Sequence, residues 1–95
     1  MSDVDKSVEA IIERLRKMRE SKRMSQLDLS LTSGVSQTMI SQMESGKRIP
    51  TLSTFLKICD ALDTPPETVI GLALDNKKER ELDKAKALEI IEKWM

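Results

Sequence analysis

Four polar side chains in the stretch SGVSQTMISQMESGKRIP, Ser33 to Pro50, have types and spacing suited to one kind of chemistry. Gln37, Thr38, Ser41 and Gln42 fall at i, i+1, i+4 and i+5, which places them on one outward stripe of a helix. Glutamine carries donors and an acceptor on one planar amide, and the serine and threonine hydroxyls do both duties. None of the four builds a core or adds charge. What they do well is match a donor–acceptor pattern. Adenine displays such a pattern in the major groove of DNA, an amino donor beside the N7 acceptor, and a glutamine meets it at two points. Threonine adds a methyl that packs against the thymine methyl. Polarity alone leaves a second reading equally open, a short surface helix whose outer side is simply solvated.

Other chemistries find little material. The chain has no histidine, and no serine or cysteine has a plausible base, so hydrolysis and acyl transfer have nothing to run on. Carboxylates are plentiful, but none is paired in an apolar setting. No cluster has metal-ligand spacing, and nothing indicates a cofactor or a small-molecule ligand. Met18, Met24, Met39 and Met43 read as core filler. Cys59, between Ile58 and the Ala61-Leu62 pair, reads as a buried inert thiol. The expectation is a protein that binds and does not catalyse.

The bulk properties fit a small intracellular module. Ninety-five residues make one domain with room for an extra helix, and the single cysteine allows no internal disulfide. No window has the apolar length of a membrane span, and the N-terminus MSDVDKSVEA is acidic where a signal peptide is basic, so a cytoplasmic location is expected. Net charge is zero, yet it is mildly polarised. Residues 1–50 hold nine Lys/Arg against seven Asp/Glu, and residues 51–95 hold seven against nine. Arg14, Arg16, Lys17, Arg19, Lys22 and Arg23 crowd into ten positions. A polyanionic partner needs a basic face and not a basic whole.

Helices must position these groups. Val8, Ile11, Ile12, Leu15 and Met18 repeat at threes and fours and predict a first helix over Ser7 to Ser21. Ser25 then reads as an N-cap, with Asp28 completing a capping box for a helix over Gln26 to Thr32 that buries Leu27 or Leu29 plus Ser30. Gly34 closes it, and Ser36 caps a third helix, Gln37 to Glu44, with Met39, Ile40 and Met43 inside. Gly46 ends that helix, and Ile49-Pro50 begins an extended turn. A cap at Thr51 or Ser53 opens a fourth helix with Phe55, Ile58, Cys59 and Leu62 inside. Pro66 suits the first turn of a fifth, Glu67 to Leu74.

Two short helices joined by a glycine turn form a helix-turn-helix, whose second helix lies in the major groove. The stretch SQLDLSLTSGVSQTMISQMESGKRIP resembles the helix-turn-helix of the phage repressor and Cro-like (XRE-type) family of bacterial transcription regulators. The resemblance rests on Ser25-Gln26, Leu29, Gly34-Val35-Ser36, Ile40-Ser41, Glu44, Gly46 and Pro50, eleven positions in register over twenty-six. The flanking helices extend it over residues 7 to 74. It implies an all-α, five-helix, lambda-repressor-like fold and a protein that binds double-stranded DNA. By residue, it implies that Gln37, Thr38 and Gln42 face base edges, with Ser41 nearby. Gln26 would contact a phosphate and steady Gln37, and Ser45, Lys47 and Arg48 would hold the backbone. Arg19 and Glu44 match an ion pair that ties the first helix to the third. Ser30 departs from the family's usual alanine, and Met39 is long where small residues are common.

Residues 75–95 change character. They are rich in Lys, Glu, Leu and Ala, strong helix formers. Leu82, Ala85, Leu88, Ile91 and Met95 repeat at helical spacing, widened by Ala87, Ile90 and Trp94. The expected division is a DNA-binding domain, residues 1–74, and a C-terminal amphipathic helix, residues 75–95, that either folds back on its own domain or, the reading preferred, serves as the dimerisation element through Leu82, Ala85, Leu88, Ile91, Trp94 and Met95. The function expected is a transcriptional regulator, a repressor that binds a palindromic operator as a homodimer. The alternatives are an antitoxin paired with a cognate toxin, a restriction–modification controller that regulates its own operon, and a protein-interaction module that binds no DNA.

Overall fold

The computed structural model describes residues 3–74. Helix α1 is Asp3–Ser21, α2 Gln26–Ser33, α3 Gln37–Glu44 and α4 Leu52–Ala61, and α5 covers 66–74. Five helices and, among the described residues, no strand make the all-α architecture that the periodicity predicts. The expected sixth helix, over residues 75–95, lies outside the described residues.

The elements begin and end where local chemistry dictates. Ser25 Oγ accepts from the Asp28 N–H at 2.9 Å, and the Asp28 carboxylate accepts from the Ser25 N–H at 2.9 Å, a complete capping box. The Ser25 N–H, and after it the Ser25 hydroxyl, hold the Asp28 carboxyl below its ordinary pKa. Gly34 closes α2 at φ 75°, its N–H bonded to the Ser30 carbonyl. Ser36 and Thr51 cap α3 and α4, their hydroxyls accepting from the Met39 and Thr54 N–H groups. Three boundaries differ from expectation. Helix α1 starts at Asp3 and not Ser7, because Asp3 and Asp5 suit the positive end of the dipole and the Ser7 hydroxyl donates back to the Asp3 carbonyl. Helix α2 gains Ser33, and α5 begins at 66, since proline is compatible with a first turn.

The core gathers one stripe from each helix. Leu15, Leu29, Val35, Ile40, Met43, Phe55, Ile58, Cys59, Leu62 and Val69 are buried, with Ile11, Ile12, Met18, Met24, Met39 and Ala61 packed against them. Burying each large aliphatic side chain contributes about 1.5–3 kcal/mol. Of the two leucine candidates on α2, Leu29 is the core residue and Leu27 stays half exposed. Cys59 is buried, and desolvation pushes its thiol pKa up, which keeps it protonated and unreactive.

Candidate functional site

Helix α3 is built two-sided. Ile40 and Met43 are fully buried and Met39 is partly so, while Gln37, Thr38 and Ser41 are exposed and Gln42 is half-buried. At roughly 100° per residue the four polar residues span an arc of about 140°, opposite the buried side. Helix α2 packs against α3, and Gln26, the first residue of α2, joins Gln37, Thr38, Ser41 and Gln42 in lining one shallow notch. The structure thus brings together all four residues expected to face base edges and adds Gln26 beside them.

One ion pair fixes α3 relative to α1. Arg19 donates from Nε to Glu44 Oε2 at 2.8 Å and from Nη2 to Glu44 Oε1 at 2.7 Å, a planar two-point contact. The side chains are 11% and 5% exposed, so the pair is substantially desolvated. Its third bond, Nη1 to the Met24 carbonyl at 2.7 Å, ties down the α1–α2 turn, where Arg23 takes a left-handed φ of 57°. The hydrogen bond to Glu44 holds the Arg19 pKa above its ordinary value. A further bond escaped sequence reasoning, since Gln26 Nε2 donates to Glu44 Oε1 at 3.3 Å. Nothing in the residue types signals that contact, because it depends on how closely α2 crosses the end of α3.

After α3 the chain turns on its own carbonyls. The Gln42 carbonyl accepts from the Lys47 and Arg48 N–H groups at 2.9 and 3.2 Å and from the Ser45 hydroxyl at 3.1 Å. Gly46 makes that turn at φ 80°, in the left-handed region that glycine enters freely. With the main-chain donors used in this way, Lys47 and Arg48 have their exposed side chains left for an anion.

The basic run on α1 is less free than its sequence suggests. Arg16 is bonded to Glu13 and, at 2.7 Å, to Glu20, on the same helix. The side-chain bond from Arg16 lowers the Glu13 pKa. Arg14 is half-buried, and its Nε has no partner among the described residues. The exposed cations of the run are Lys17, Lys22 and Arg23. Among the described residues no group of His, Cys, Asp and Glu could hold a metal ion, and no helix is long and apolar enough to cross a membrane.

The family model for helix-turn-helix proteins matches residues 15–69, more than half of the chain. The chain belongs to the helix-turn-helix family. The matched span runs from the core residue Leu15 to the core residue Val69, so this helix-turn-helix domain comprises the whole of the buried cluster. Its relatives include an uncharacterised HTH-type transcriptional regulator, y4dL, of Sinorhizobium fredii, 44% identical over 55 residues, or 58% of the chain. The chain spans only 28% of that relative's length. Among solved structures it is similar to the restriction–modification controller protein C.AhdI of Aeromonas hydrophila. That likeness has a TM-score of 0.61 and 32% identity, and it covers 65% of this chain and 94% of the other.

Proposed function

We propose that this helix-turn-helix protein is a sequence-specific regulator that binds double-stranded DNA through the major groove. Its most specific form is a cytoplasmic repressor that occupies a palindromic operator as a homodimer. The observation that carries the reading is the two-sided α3, apolar toward the core and lined outward by Gln37, Thr38, Ser41 and Gln42. Such a helix fits the major groove, where each base pair has a distinct donor–acceptor pattern. Lys47 and Arg48 follow immediately, exposed, as phosphate contacts with Ser45, while Gln26 approaches the backbone from the start of α2. Two copies would place their recognition helices one DNA turn, ~34 Å, apart.

The dimer contact is assigned to Leu82, Ala85, Leu88, Ile91, Trp94 and Met95, whose spacing makes an apolar stripe in the sequence. A single recognition helix makes too few contacts for a useful specificity ratio, which favours pairing. The likeness to C.AhdI favours a second, narrower reading, a controller of a restriction–modification operon. A methyltransferase or endonuclease gene adjoining this one would support it.

Selection of bound sequences from random duplex DNA tests the proposal. A two-fold symmetric consensus with half-site centres about ten base pairs apart is expected. Recovery of no preferred sequence would overturn it.

A further inference from the structure

An apolar groove of about 300 Å³ opens between α1, the turn after α3, α4 and α5. Ile11 and Ile12 line it from α1, Ile49 from the turn, Leu52 and Phe55 from α4, and Ile70 from α5. Ile49 and Leu52 are 67% and 72% exposed. Val4, one turn before the groove's first residue on α1, is exposed too and prolongs the apolar track. From Val4 to Leu15 that track runs about 16 Å at 1.5 Å per residue. Among the lining residues Thr51 alone has a polar side chain, and its hydroxyl is engaged with the Thr54 N–H and hydroxyl. The groove therefore has little with which to orient a polar ligand. It suits a row of apolar side chains.

Resting on the homodimer reading, we propose that this groove is the seat for the C-terminal stripe of a second copy, Leu82 to Met95. Each copy's stripe lies in the other's groove. Three features point to this occupant. Residue 74 lies four positions past Ile70, so the rest of the chain leaves about 6 Å from the groove's edge. As a helix, Leu82 to Met95 would run about 20 Å, close to the length of the track. Neither glycine nor proline occurs in residues 75–95, and strong helix formers fill them. A return to the chain's own groove would have to be made at Asp75-Asn76, the one pair of turn-type residues there. A helix that continues without that reversal carries the stripe past its own groove and onto a partner's. The two-fold exchange makes the contact twice, doubling the apolar area that one seat would bury.

The test uses the full chain, in sedimentation equilibrium at micromolar concentration. Ile49→Glu with Leu52→Glu puts charge into the groove at two positions exposed enough to leave the core untouched. Circular dichroism confirms that the variant is helical. The expected result is a shift from dimer to monomer mass, the same shift as for Leu88→Glu with Ile91→Glu. A groove variant that stays dimeric beside a monomeric stripe variant would overturn the seat and leave the homodimer standing. A monomeric parent would overturn both. A second measurement assigns the stripe to its copy. A nitroxide is attached at Glu92→Cys, Cys59 being buried, and the labelled chain is mixed with nitrogen-15 parent. Amide signals of residues 49–55 should be lost in the mixture, where nitroxide and isotope are on different copies. Loss only when both are on one chain would put the stripe back on its own groove and overturn the exchange. Loss in neither sample would overturn the seat.

Discussion

Arg19 and Glu44 hold the end of α3 against α1 and the α1–α2 turn. Removing one partner of a buried pair costs about 3–5 kcal/mol because the abandoned charge stays desolvated, against about 0–1 kcal/mol for a surface pair. With side chains 11% and 5% exposed in residues that are partly buried, this pair lies between the two classes and nearer the first. Arg19→Ala also frees the Met24 carbonyl, and Glu44→Ala also frees the Gln26 amide. Both variants should lower the urea midpoint markedly, with an unchanged slope, and lose DNA binding only as they unfold. Variants that unfold like the parent yet fail to bind would place the pair in the contact surface. The pairing was legible in the sequence through family resemblance alone, since 25 positions separate the partners and no local pattern links them. The Gln26 contact was not legible. It needs the crossing of α2 over α3, which neither helix encodes by itself.

At the scale of elements, the capping residues did most to make the sequence legible. Ser25, Gly34, Ser36, Gly46 and Thr51 mark helix ends with side-chain or φ requirements that few other residues meet, and each does so in the structure. The α1 start was less legible because Asp3 to Lys6 lie before the apolar stripe, and only dipole and hydrogen-bond terms favour helix there. The basic run on α1 misled in another way. Its density of Lys and Arg in the sequence overstates the free charge, because Glu13 and Glu20 fall one turn either side of Arg16 and neutralise it. The α2 cap yields a pH prediction. Asp28 has a lowered folded-state pKa, so its contribution is present above the unfolded value and is lost as pH falls through the folded one. Thermal unfolding followed by circular dichroism should show Asp28→Asn less stable than the parent at neutral pH, with the difference closing on acidification. A gap that is independent of pH would show that the carboxylate charge does not support the cap. Ser25→Ala, which loses the other half of the box, should cost about 1 kcal/mol at neutral pH.

For the whole molecule the question is how one small domain obtains enough contacts to choose a site. Several apolar side chains stay exposed on the described surface, among them Val4, Leu31, Ile49 and Leu52, each at least 67% accessible. The stripe assigned to dimerisation lies outside the described residues, so its test must come from solution. Leu88→Glu with Ile91→Glu should convert a dimer to a monomer in sedimentation equilibrium at micromolar concentration while leaving the helix-turn-helix domain folded. A double variant that remains dimeric would move the interface elsewhere.

In the proposed function α3 reads base edges while the residues after it hold the backbone. Four variants, titrated against the selected duplex and against random duplex at one salt concentration, separate these roles. Gln37→Ala and Gln42→Ala should each lose about 1–3 kcal/mol on the selected duplex and little on random DNA. Lys47→Ala and Arg48→Ala should weaken both duplexes about equally and reduce the dependence on salt. Equal losses on selected and random DNA for the glutamine variants would show that these side chains do not read bases.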